Sequence, residues 1–241
     1  YANDNARNNY TKNSYSDSNI QNRQRDNAPL ITVVTATHNI IKSGTIIYDN
    51  TIIGDNNIFL ENNIIGTLPV LANVEYKDNK SKGVVIGNNN FFHISNKISS
   101  GYYKKTLIGN YNKFLSEIYI SHDCKIGNEI TFYPRVFSAG LSIFKNNCNI
   151  GAGAYIHQKC IIGSYAMVGM NCTITKNVLP FLISIGSKYT RPNTKFLPKE
   201  LLNYDNILNN IIKKSNKKED IKHEVNKLPC CYSKIFYKEY I

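Results

Sequence analysis

The chain has 241 residues, 42% of them hydrophobic, with 29 Lys and Arg against 17 Asp and Glu and a formal charge of +12. That suffices for one large domain with an appendage or for two modest ones, and the lack of any apolar run near the roughly eighteen residues of a membrane span argues against an integral membrane segment. The basic balance favours acidic partners, while scattered Lys without an Arg-rich stripe argues against nucleic acid.

Residues 1–29 are expected to be disordered, since eight of them are Asn and little apolar surface is present to offset ordering entropy. The absent initiator Met reads as a trimmed chain, yet Asp4, Asp17 and Asp26 are unlike an acid-poor transit peptide. Asn, Ile, Lys and Tyr are abundant throughout, which reads as coding bias.

Residues 30–191 read as an all-β solenoid. An apolar residue recurs at every sixth position through Ile41, Ile47, Ile53, Phe59 and Ile65. The beat returns at Ile108, Phe114, Ile120, Ile126, Phe132, Ser138, Phe144, Ile150, Ile156, Ile162, Val168 and Ile174, broken only by Ser138. A period of six fits neither a helix nor a plain strand and marks a repeat architecture. Gly follows the inward residue at 109, 127, 151, 163 and 169, where a tight turn beside the next coil is expected. The phase slips between Ile65 and Ile86 and again between Ile86 and Ile108, so loops are predicted at 67–83 and 99–106. Loops on a rigid scaffold are favoured places for ligand contacts, with tolerated decoration as the alternative.

Beyond the beat, residues 192–241 are predicted to form a small helical cap over the solenoid's open end. Pro198 would open a helix with Leu201, Leu202, Leu208, Ile211 and Ile212 on its apolar side. A second helix is predicted over 218–228, presenting Ile221, Val225 and Leu228. The cysteines at 124, 148, 160, 172, 230 and 231 form no CxxC pair, so free thiols in a reducing compartment and no metal site are expected.

Three hexads make one coil of eighteen residues, and adjacent coils should lie about 4.8 Å apart. His122, Gly140 and Gln158 then stand in one file, with His157 beside Gln158 and Asp123 beside His122. A neutral His can remove a proton from a hydroxyl near neutral pH. Asp123 would orient the imidazole, and the Gly140 amide could meet a developing oxyanion. Gln158 and His157 would bind a polar acceptor. His38, His93 and His223 lack such partners. Cys124 lies two residues from His122, which strand packing explains equally well.

The blocks Ile120-Ser121-His122-Asp123-Cys124-Lys125-Ile126-Gly127 and Ile156-His157-Gln158-Lys159-Cys160-Ile161-Ile162-Gly163 resemble the UDP-N-acetylglucosamine O-acyltransferases of lipid A biosynthesis, and so does the stretch from Val168-Gly169 to Pro180. The resemblance reaches back to about Ile41. It implies a left-handed parallel β-helix, assembled as a homotrimer with active sites between subunits. It also implies transfer of a 3-hydroxyacyl group from acyl carrier protein to the 3-hydroxyl of UDP-N-acetylglucosamine. No cofactor is implied, because the carrier protein brings the donor on its phosphopantetheine. His122 matches the general base, Asp123 its partner, and Gly140 the oxyanion donor; His157 and Gln158 match residues near the sugar and acyl chain. Met170 matches the position that sets acyl-chain length, where Met implies a shorter chain. Tyr119 and Leu141 stand where the family has histidines that hold the nucleotide sugar, and Lys77 is the candidate sugar ligand in the first loop. The resemblance implies cytoplasm in a bacterium, or an organelle in a eukaryote. Two other classes fit the repeat: an acetyl-CoA-dependent acetyltransferase, and a non-catalytic trimeric scaffold.

Overall fold

The structure, a computed structural model, describes residues 37–75, 80–186, 188–195, 198–214 and 218–239. The expectation for residues 1–29 and the candidate Lys77 lie outside them.

Short strands of mostly two or three residues alternate with four-residue corners, and the chain winds through about eight coils as a left-handed parallel β-helix. Among the described residues three sheets form its faces: nine strands in the first, seven in the second and six in the third. Within a face the strands pair in parallel with a step of eighteen residues, as at Phe114↔Phe132 and Ile126↔Phe144. The step lengthens at Ile53↔Ile86 and at Ile86↔Ile108, where the two insertions leave the coil. Most two-residue strands turn one residue inward, the hexad residue; Thr51–Ile53, Val84–Ile86 and Thr106–Ile108 each bury two, and Ile41, at the start of the beat, is exposed.

The inward residues stack on themselves. Phe59, Phe92, Phe114 and Phe132 are fully buried, and their rings lie parallel with centroids 4.5, 4.5 and 4.9 Å apart. The spacing is that of adjacent strands, so coil geometry imposes the aromatic stack. Ser138 breaks the apolar column with its hydroxyl donating to the Ala139 carbonyl at 3.2 Å.

The corners put glycine where the next coil comes close, as the sequence led one to expect. The glycines at 109, 127, 151, 163 and 169 do not carry the left-handed backbone, whereas Gly66, after Ile65, does at φ of 87°. At Gly109 a Cβ would meet the Asn128 Oδ1 at 2.3 Å and the Gly127 carbonyl oxygen at 2.5 Å, so the next coil's approach excludes it. Positive φ falls two residues later, at Tyr111, Glu117, Asp123, Glu129, Arg135 and Leu141, again every six residues.

Asparagine also proves structural. At one corner the backbone N–H of Asn88, Asn110 and Asn128 donates to the side-chain oxygen of Asn110, Asn128 and Asn146 at 2.7, 2.8 and 3.0 Å. Inside the same corner Asn57, Asn90 and Asn112 are buried, with Asn112 Nδ2 donating to Asn90 Oδ1 and Asn90 Nδ2 to Asn57 Oδ1, each at 3.0 Å. Coding bias does not explain these positions; each side chain pairs backbone groups that would otherwise be stranded in the corner.

The hairpin of Leu182–Ile185 and Lys188–Pro192 ends the sheet. A 3-10 segment, Lys199–Tyr204, follows Pro198 and precedes α1 (Asp205–Lys213), α2 (Lys218–Val225) and α3 (Cys230–Glu239). Pro198 thus opens a 3-10 turn, Leu202 faces solvent, and α3 was absent from the sequence expectation. Leu201, Leu208, Ile211, Ile221, Val225 and Phe236 pack on Leu179, Phe181 and Leu182 of the last coil. Where the asparagine ladder reaches Ser164, the Ser164 N–H and Oγ donate to the Glu239 carboxylate at 2.8 and 2.6 Å.

Candidate active site

The corner joining the second face to the third carries Ser121-His122-Asp123-Cys124. The Leu141 N–H donates to the His122 carbonyl at 2.9 Å and the Lys159 N–H to the Gly140 carbonyl at 3.1 Å. These bonds set His122, Gly140 and Gln158 one above another.

His122 Nδ1 lies 2.7 Å from Asp123 Oδ2, with the imidazole 13% exposed and the carboxylate fully buried. A carboxylate only accepts, so Nδ1 carries a proton, and in the neutral imidazole the lone pair is then on Nε2. Nε2 and Cε1 face Gly140, where a Cβ would approach both at 2.5 Å. Glycine is therefore required at 140 to admit the ring. Among the described residues no group accepts a hydrogen bond from the Gly140 N–H. An imidazole with a free nitrogen beside an unshielded amide can take a proton from a hydroxyl and stabilise an adjacent oxyanion.

Asp123 is held by more than its neighbour. Its Oδ1 accepts the backbone N–H of Tyr102, Tyr103 and Lys104 at 3.1, 2.9 and 2.7 Å. Its own N–H donates to Thr106 Oγ1 at 3.0 Å. The sequence held no sign of these partners beyond the slip in phase, because a backbone amide has no residue signature.

The remaining candidates spread outward. His157 and Gln158 are exposed, and His157 Nδ1 donates to the Gln158 carbonyl at 3.3 Å. Gln158 stands two coils, about 10 Å, from His122. Leu141 sits half-buried above Asp123 with φ of 65°. Tyr119 lies on the second face, its ring stacked on Phe137 at 4.9 Å, its hydroxyl 3.3 Å from Ser99 Oγ and Lys97 Nζ 5.9 Å above the ring. Phe137 continues to Tyr155 at 5.9 Å, so three aromatic residues run up this face beside the corner. Met170, 71% exposed, occupies the opposite edge of that face, on the corner joining the first face to the second. Within one chain it is not brought to His122.

Two other groups are clarified. The Cys124 thiol points into the core toward the Ala139 carbonyl, and burial pushes its pKa up to about 11, so it is no thiolate nucleophile near neutral pH. His93 does have a partner, with Nδ1 2.8 Å from Ser116 Oγ, but on a corner away from Asp123. All six cysteines are free, and among the described residues no helix is long and apolar enough to cross a membrane.

Residues 142–176 match the family described as bacterial transferase hexapeptide (six repeats). Over 76 residues, 32% of the chain, it is 37% identical to the acyl-carrier-protein–UDP-N-acetylglucosamine O-acyltransferase of Alkalilimnicola ehrlichii, of which 30% is covered. The chain spans less than half the length of the curated relatives it matches. The structure of Francisella novicida UDP-N-acetylglucosamine acyltransferase is similar with a TM-score of 0.73 and 26% identity, covering 86% of this chain and 76% of that one. The Campylobacter jejuni UDP-N-acetylglucosamine acyltransferase shares the fold with a TM-score of 0.73 at 24% identity, covering 84% and 82%. By sequence in its repeats, and by fold over most of its length, the chain is similar to UDP-N-acetylglucosamine acyltransferases, and its residues 142–176 match the hexapeptide-repeat pattern.

Proposed function

We propose that the chain transfers a 3-hydroxyacyl group from acyl carrier protein to the 3-hydroxyl of UDP-N-acetylglucosamine, the first step of lipid A biosynthesis. The observation that carries this reading is the 2.7 Å bond from His122 Nδ1 to Asp123 Oδ2, which leaves Nε2 bare beside the Gly140 amide. In the proposed reaction His122 Nε2 takes the proton of the sugar 3-hydroxyl as its oxygen attacks the thioester carbon. The thioester oxygen gains charge and is met by the Gly140 N–H. The tetrahedral intermediate collapses, and the phosphopantetheine thiolate leaves with the proton from the imidazolium. Asp123 stabilises the imidazolium while it exists. No metal or cofactor of the protein's own is needed by this sequence of steps.

His157 and Gln158 would contact the bound acceptor and acyl chain, and Tyr119 would line the sugar site in place of a histidine. The chain is proposed to act as a homotrimer with sites between subunits. Met170 stands across a full face from His122 of its own chain, so its proposed role in setting a short acyl length calls on a neighbouring subunit. The net charge of +12 suits an acidic carrier protein.

The test is an acyl-transfer assay on wild type and His122→Ala, with hydroxyacyl carrier proteins of several chain lengths and with acetyl-CoA. Turnover from the shorter hydroxyacyl carriers is expected, falling about 10²-fold or more in His122→Ala. Turnover from acetyl-CoA alone would instead support an acetyltransferase, and unchanged activity in the variant would reject His122 as the base.

A further inference from the structure

The second insertion does more than interrupt the repeat. Its turn sends three consecutive N–H groups, those of Tyr102, Tyr103 and Lys104, onto Asp123 Oδ1. Asp123 Oδ2 is left with His122 Nδ1. Thr106, at the insertion's end, takes the Asp123 N–H and so fixes the residue whose backbone lies at φ of 60°. Asp123 is fully buried. A buried carboxylate needs its charge compensated, and concave sets of backbone amides do this without a counter-cation.

The turn is itself braced. A Cβ on Gly101 would lie 1.5 Å from the Lys104 carbonyl oxygen, so the turn closes only with glycine there. The Gly101 N–H donates to the Gly83 carbonyl at 3.1 Å, as does the Thr106 N–H, and the Lys82 N–H donates to the Gly101 carbonyl at 2.8 Å. The end of the first insertion thereby holds the second.

We propose that the turn 101–104 and Thr106 form a positioning element for His122, an amide cradle that holds Asp123 in one orientation so that the imidazole stays in the single tautomer with Nε2 free. None of these groups faces the reacting atoms; they act through Asp123. The link from this geometry to turnover rests on the function proposed above, whereas the link from cradle to tautomer does not.

The experiment uses the full chain labelled with 15N-histidine, paired with steady-state kinetics. In wild type the His122 Nδ1 signal is expected as protonated and Nε2 as bare. In Gly101→Ala the signals should shift toward exchange between tautomers, with kcat lower by about ten- to a hundredfold and KM little changed. Thr106→Val should move both readouts the same way and Thr106→Ser should restore them; this pair carries the test if Gly101→Ala does not fold. A folded Gly101→Ala or Thr106→Val with the wild-type tautomer overturns the proposal, even if kcat falls. A tautomer that responds while wild type turns over no acyl donor leaves the cradle standing and removes the proposed function; turnover with an unresponsive tautomer does the reverse.

Discussion

At the scale of single residues, His122 and Gly140 are matched sterically. The imidazole fills the volume a Cβ at 140 would need, approached to 2.5 Å, and its other nitrogen is tied to Asp123 at 2.7 Å. The ring cannot yield to a methyl group without loosening that bond. Gly140→Ala is therefore expected to lower kcat about 10²-fold, the cost of roughly 1 Å of misplacement, while the thermal midpoint changes little. Wild-type kcat in the variant would show that the ring's seat is not what aligns it. Cys124 carries a complementary lesson: two positions from His122 on the same corner, it turns inward, and its raised pKa follows from burial.

Secondary-structure elements meet most sharply at the C-terminal cap. Lys214 at the end of α1 and Lys227 after α2 reach Glu224 at 2.6 and 3.0 Å, and their hydrogen bonds hold its carboxyl down to about 2 from an ordinary 4.5. A depressed carboxylate pKa adds stability above its unfolded value, and that stability is lost as pH falls through the folded value. Thermal melting followed from pH 7 down to pH 2 should thus show wild type losing stability below about pH 4.5, with Glu224→Gln flatter over that window. Parallel curves for the two proteins would remove the ion pairs from the account of the cap. Glu239 does a related job between elements, ending the asparagine ladder by accepting from Ser164.

Over the whole molecule the fold is a one-dimensional stack in which each coil touches only its neighbours. The ring stack of Phe92, Phe114 and Phe132 is continuous through the middle of it. Phe114→Ala should cost about 3–5 kcal/mol and separate the unfolding of coils on either side. Calorimetry and circular dichroism would then record two transitions where wild type has one. A single transition at the wild-type midpoint would contradict the idea that this column couples the coils.

What could be read from sequence was whatever repeats locally. The inward residue every six positions, Ile108 to Ile174, follows from which side chain each short strand turns to the core, and eighteen-residue stacking then aligns His122, Gly140 and Gln158 without further information. What the tertiary structure alone decided lies where that period fails or where backbone atoms act. The asparagine ladders looked like composition because an amide's partner is a carbonyl or N–H one coil away. Met170 took its place opposite His122 only once the faces were assigned in space. The cradle on Asp123 needed the fold most: it joins residues about twenty positions apart through an insertion whose length obeys no repeat, and its donors are amides that any side chain leaves in place.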